Sequence, residues 1–146
     1  MNQSARIRQP ELSANLWRAT GVVQAAVYVL TGIWPWLSMR TFLKVTGPKE
    51  DLWLVKTVGA LVTVVGTVLG FAVLRRRVTP EIALLGAGSA GALAGVDALF
   101  VAQGRIPPVY LLDMAGELAL VAGWLLGTKA NASTTVRAGL KPAPTD

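Results

Sequence analysis

Residues 16–127 are filled by four long apolar runs, separated only by short polar junctions. A helix needs roughly 20 consecutive apolar residues to cross the hydrocarbon core of a bilayer, and each run reaches or approaches that length. The chain is 15% charged, against about 25% in an ordinary soluble domain, and what charge it has gathers at the termini and junctions. These features predict an all-α fold, a polytopic membrane protein built as an antiparallel four-transmembrane-helix bundle. The lipid bilayer is its first partner, and no room is left for a separate soluble domain.

The expected helices cover about 16–37, 52–74, 80–102 and 107–126. Residues 1–15 read as a polar N-terminal arm, with a short interfacial helix from Pro10 onward as one form of it. The basic residues of the arm precede an apolar stretch that is too long for a signal peptide and lacks a small-residue cleavage site, so the first run is read as a retained helix. Trp34, Pro35 and Trp36 mark its exit at headgroup level. In the connection 38–51, Met39, Phe42, Leu43 and Val45 interleave with Arg40 and Lys44, the pattern of an amphipathic helix lying in the interface, and Gly47-Pro48 ends it. Thr79-Pro80-Glu81 is a helix start, with a capping hydroxyl, a proline at the first position and an acid in the first turn. Gly127 reads as the last C-cap, and the small, polar, proline-containing tail 128–146 as disordered.

Nine Lys and Arg flank one set of helix ends: Arg6, Arg8, Arg18, Arg75, Arg76, Arg77, Lys129, Arg137 and Lys141. Four lie at the other: Arg40, Lys44, Lys49 and Arg105. The positive-inside rule then places both termini in the cytoplasm, here across a bacterial inner membrane. An even number of spans requires the termini to share a side, so the two inferences agree. The same distribution explains the net charge of +6 through topology, and no nucleic-acid partner is expected. The chain contains no cysteine and no histidine, which excludes disulfides, thiolate chemistry and the usual zinc and haem ligand sets. No cofactor and no metal site is expected.

Gly86-Ala87-Gly88-Ser89-Ala90-Gly91 matches a dinucleotide-binding fingerprint. Such a site requires a strand, a turn and a helix within a βαβ unit, and these glycines lie inside one apolar run. Small-xxx-small spacing through Gly88, Gly91, Ala92 and Gly95 is the better account, with close helix packing as its purpose; Gly59, Gly66 and Gly70 offer the same on the second helix.

Every run carries a polar stripe: Thr20, Gln24, Tyr28 and Thr31; Lys56, Thr63 and Thr67; Ser89 and Asp97; Asp113 and Glu117. Asp113 and Glu117 are one turn apart and share a face. At about 1.5 Å of rise per residue, Tyr28, Lys56, Asp97, Asp113 and Glu117 all fall in the outer half of the bilayer. Charge at this depth usually faces a bundle interior, a partner or a pathway. Three acids and one lysine cannot neutralise one another, and Arg105 at the rim can answer only one more. The expected site is therefore an outward-facing acidic pocket lined by Gln24, Tyr28, Lys56, Asp97, Asp113 and Glu117. Glu117 and Asp97 would hold a cation or proton, Lys56 would set their charge state, and Tyr28 would stack or hydrogen-bond.

Such a pocket suits an integral membrane protein that binds a small cationic or amphipathic ligand or a proton, as a transporter component would. The alternative is a structural or accessory subunit of a homo-oligomer or larger membrane complex, with the charges acting as helix–helix locks. An enzyme is the weaker reading, because no nucleophile or cofactor motif supports it and no residue reads as catalytic. The four short helices, the amphipathic first loop, the run Thr46-Gly47-Pro48-Lys49-Glu50-Asp51-Leu52-Trp53-Leu54-Val55-Lys56-Thr57-Val58-Gly59 and the acids of the last two helices resemble small bacterial membrane proteins of the DoxX-like kind. The resemblance spans about residues 17–127 and implies the four-helix architecture without implying catalytic residues.

Overall fold

A computed structural model describes residues 3–139, with side chains described over 15–128. Five helices account for nearly all of it: α1 (Gln3–Leu37), α2 (Met39–Thr46), α3 (Leu52–Leu74), α4 (Pro80–Ala102) and α5 (Tyr110–Gly139). No strand occurs among the described residues. The segments Asn15–Leu37, Leu52–Leu74, Pro80–Ala102 and Tyr110–Thr128 are long and apolar enough to cross a membrane. Leu30, Leu61, Leu74, Leu84 and Leu112 project outward from these segments, as side chains facing lipid do.

The first helix is central. It runs antiparallel to α3 on one side and to α5 on the other, and α4 closes against α5. Although a short turn joins α3 to α4, the two touch only lightly. Trp17, Thr20, Gly21, Gln24, Ala25, Tyr28, Gly32 and Pro35 are all buried. They recur at steps of three and four, the spacing of one helix face. On the α3 side the backbones themselves meet: a Cβ on Gly59 would lie 2.5 Å from the carbonyl oxygen of Gly32. Only glycine permits such an approach, so the expected packing role holds for Gly59 and Gly66, whereas a Cβ on Gly70 would make ordinary contact with Ala25.

The amphipathic connection is helical as expected. In α2 the Ser38 hydroxyl accepts from the Thr41 N–H at 3.4 Å, none of its residues is buried, and Gly47 ends it at φ +84°. Trp34 meets Phe42 edge-on at 5.7 Å, which folds α2 back over the end of α1. The loop then crosses to the start of α5, where the Lys49 ammonium stands 5.0 Å from the centre of the Tyr110 ring. At the far ends α3 and α4 close identically. Arg76 and Gly104 adopt positive φ (53° and 65°); their own N–H groups turn back to Val73 and Val101, and those of Arg77 and Arg105 to Ala72 and Phe100.

Two boundaries differ from expectation. The arm 1–15 is helical backbone from Gln3 onward, continuous with the first span and running through Pro10. At the other end the helix does not stop at 126: α5 continues to Gly139, so 128–139 is helical rather than disordered, and 140–146 lie outside the described residues. Gly127 is not a cap. The Trp17 indole occupies the space a Cβ at 127 would need, and the Thr128 hydroxyl donates to the Trp124 carbonyl at 2.5 Å, so the helix carries on through this turn. Neither glycine nor proline follows before Gly139 to break it.

Candidate functional site

Two polar layers cross the bundle, and they do different work. The first is built on Gln24, which is fully buried. Its Nε2 donates to the Gly86 carbonyl at 2.9 Å and to the Ser89 hydroxyl at 3.4 Å, while its Oε1 accepts from Trp124 Nε1 at 2.7 Å. Three helices are thereby clipped together by one amide with every strong partner supplied. Gln24 was expected to face a ligand; its polar atoms are instead committed to α4 and α5. A buried amide in that position is stabilising only while its partners stay in place.

Trp124 explains the glycine-rich run. A Cβ on Gly86 would come within 2.5 Å of the Trp124 indole, whereas one on Gly88 or Gly95 would meet nothing within 4 Å. The expected close approach through Gly88, Gly91, Ala92 and Gly95 is therefore not the one formed. Ala83, Gly86, Ala90 and Ala94 face inward, because the Gln24 bond to Gly86 and the bulk of Trp124 fix the rotation of α4. Gly86→Ala is expected to lower stability by about 1–3 kcal/mol through overpacking against a rigid ring. Gly88→Ala should leave stability equal or higher by up to about 1 kcal/mol, since helix propensity then acts alone. Unfolding of both variants in mixed micelles measures the difference; equal losses would restore a shared role for the motif.

The second layer lies about one turn along α1. The Tyr28 hydroxyl donates to Glu117 Oε2 at 2.9 Å, and both side chains are buried. The antiparallel course of α4 and α5 brings Asp97 beside Asp113 and places both near Glu117. Asp97 is 6% exposed and its Oδ2 has no hydrogen-bond partner, while Asp113 opens to the surface. Among the described residues no lysine or arginine bears on Asp97 or Glu117, while Lys49 stands over the Tyr110 ring, one turn before Asp113 on α5.

Lys56 is not among them. Its ammonium lies 5.3 Å from the centre of the Trp36 ring, and Trp36 Nε1 donates to the Lys56 carbonyl at 3.2 Å. The expectation that Lys56 sets the charge of the acids fails for a geometric reason. It sits on α3, which touches α1, whereas the acids sit on α4 and α5. Arg105 is likewise turned away, 5.5 Å from the centre of the Phe100 ring. Of the expected set, Tyr28, Asp97, Asp113 and Glu117 come together, while Gln24 and Lys56 stand apart.

Beside the acids an open groove of about 470 Å³ runs between α1 and α5. Val23 and Val27 form one wall, Leu112, Gly116 and Leu120 the other, and Asp113 and Glu117 belong to the same lining. Among the described residues no group of three or more acids, histidines or cysteines is arranged to hold a metal ion. Sequence reasoning missed the two tryptophans that organise the neighbouring layer. Their signal was present, since Trp17 and Trp124 lie within or beside apolar runs opposite glycines rather than among headgroup residues. Compared with known proteins, the chain matches no family model, and no curated protein or solved structure is significantly similar to it.

Proposed function

We propose that this chain is a bacterial inner-membrane protein of the DoxX-like kind, with both termini cytoplasmic, that takes up a small cation or a proton at Asp97, Asp113 and Glu117. The pocket faces outward, and its use is that of a transporter component. One observation carries the reading: three carboxylates from two helices are gathered, and the two buried ones, Asp97 and Glu117, have no basic residue bearing on them among the described residues. Like charges in a low-dielectric setting repel, and a bound cation or proton relieves that repulsion. Tyr28 holds Glu117 from the α1 side, so the cluster keeps its shape whether or not it is filled.

Calorimetric titration of tetramethylammonium into the protein in phosphatidylcholine nanodiscs tests the reading. Glu117→Gln should weaken binding roughly tenfold or more, the worth of a charge-assisted contact. Equal affinity in wild type and variant would remove the acid cluster as the site. Orientation is tested separately. The chain has no cysteine, so Lys49→Cys and Arg76→Cys each introduce a single thiol. A membrane-impermeant maleimide should label position 49 in intact spheroplasts and position 76 only after permeabilisation.

The accessory-subunit reading has one observation in its favour: the Gly88, Ala92 and Gly95 face of α4 is exposed. Recovery of a stoichiometric partner that is lost on Gly88→Leu would support it.

A further inference from the structure

The groove and the acid cluster are parts of one surface, and their polarity is ordered along the membrane normal. Asp113 lies in the first turn of α5, at the end where α2 and the α4–α5 turn mark a membrane surface. From there the groove runs inward past Gly116 toward Leu120, about 10 Å at 1.5 Å of rise per residue. Its far end is lined by Ala19, Val23, Ala119 and Leu120 together with the buried Thr20, carries no charge, and opens outward from the bundle. A single-chain amphiphile in one leaflet has the same order: a head at the surface and a tail toward the bilayer centre. Two carboxylates in the lining, Asp113 and Glu117, with no lysine or arginine in that lining, select the sign of the head.

We propose that the ligand of this site is a single-chain cationic amphiphile, an alkylammonium, which enters sideways from the bilayer with its head against Asp113 and Glu117 and its tail in the α1–α5 groove. The inference rests on the acid cluster binding a cation and adds the source and shape of that cation. The tail gains little from leaving lipid for the groove by hydrophobicity alone, because lipid tails are as apolar as the groove walls. Its contribution is the fit of the chain between α1 and α5, so blocking the groove penalises long chains and spares short ones.

Gly116 offers the means. Gly116 lines the groove and a Cβ there would meet nothing within 4 Å, so Gly116→Leu puts its side chain into that space. Val23→Phe narrows it from the opposite wall, at an exposed position, and serves if the first variant folds poorly. Titrations in nanodiscs would compare tetramethylammonium, octyltrimethylammonium and dodecyltrimethylammonium, each below its micellar concentration. Partition into lipid cancels in the ratio of wild-type to variant affinity. That ratio should be near one for tetramethylammonium and rise to about tenfold or more for the dodecyl compound. A ratio that stays flat with chain length, while tetramethylammonium still binds, would overturn the amphiphile and leave the cation site standing. If tetramethylammonium does not bind wild type either, both fall. Dodecyl sulfate supplies the charge control: equal binding of this anion would make the groove an ordinary lipid contact and also sink the inference.

Discussion

Trp124→Ala should remove about 3–5 kcal/mol of stability, the range for deleting a large aromatic ring from a packed interior. This one side chain joins α5 to α1 and α4. The ring is fully buried, sits where Gly86 leaves room for it, and meets Trp17 at 6.4 Å between ring centres. Its carbonyl also accepts from Trp17 Nε1 at 3.1 Å. Truncation opens a cavity bordered by α1, α4 and α5 and leaves Gln24 Oε1 without its donor. Trp124→Phe separates these effects, because it keeps most of the volume and removes only the N–H. A buried acceptor left unsatisfied costs about 1–3 kcal/mol, so the phenylalanine variant should fall between wild type and alanine. Reversible unfolding in mixed micelles measures both. A Trp124→Ala loss below about 1 kcal/mol would mean that the Gln24 layer does not hold the helices together.

The contrast between the two polar layers shows what the sequence carried and what it did not. Span positions, the amphipathic α2 and the outward surface were legible because each depends on a local pattern: length, hydropathy or period. The shared depth of Tyr28 and Glu117 was legible too, since antiparallel helices place them at one level, although their hydrogen bond was not. Which helices touch was not. Lys56 stands at the expected depth, but on α3, and depth does not say that α3 lies against α1 and away from the acids. Gln24 and Glu117 looked alike as polar residues in apolar runs. Only the rotation of α4, set by Trp124 against Gly86, gives one a full set of partners and the other a cluster of like charge. The helical course of 128–139 escaped notice for a related reason. Gly127 has the residue type of a cap, and its use as a seat for Trp17 depends on a residue 110 positions away.

Asp97→Asn is expected to abolish binding of a cation at the acid cluster and at the same time to raise stability by about 1–3 kcal/mol. The sign follows from its surroundings. Asp97 is buried, its Oδ2 has no partner, and its nearest titratable neighbours are Asp113 and Glu117. An asparagine keeps the shape, removes a charge from a cluster of like charges, and brings an amide donor to the Asp113 carboxylate. Relieving an unsatisfied buried group of this kind falls in the range stated. A helix-locking ion pair demands the opposite sign, since removing one partner of a buried pair is destabilising by about 3–5 kcal/mol. Thermal unfolding of Asp97→Asn without ligand therefore separates the two readings of the same residue, independently of whether any ligand has been identified. A stabilised variant that has lost tetramethylammonium binding marks Asp97 as a group kept for function at the expense of the fold. A destabilised one would require a cation that pairs with Asp97, and the surface next to α4 would be the place to look for the chain that brings it.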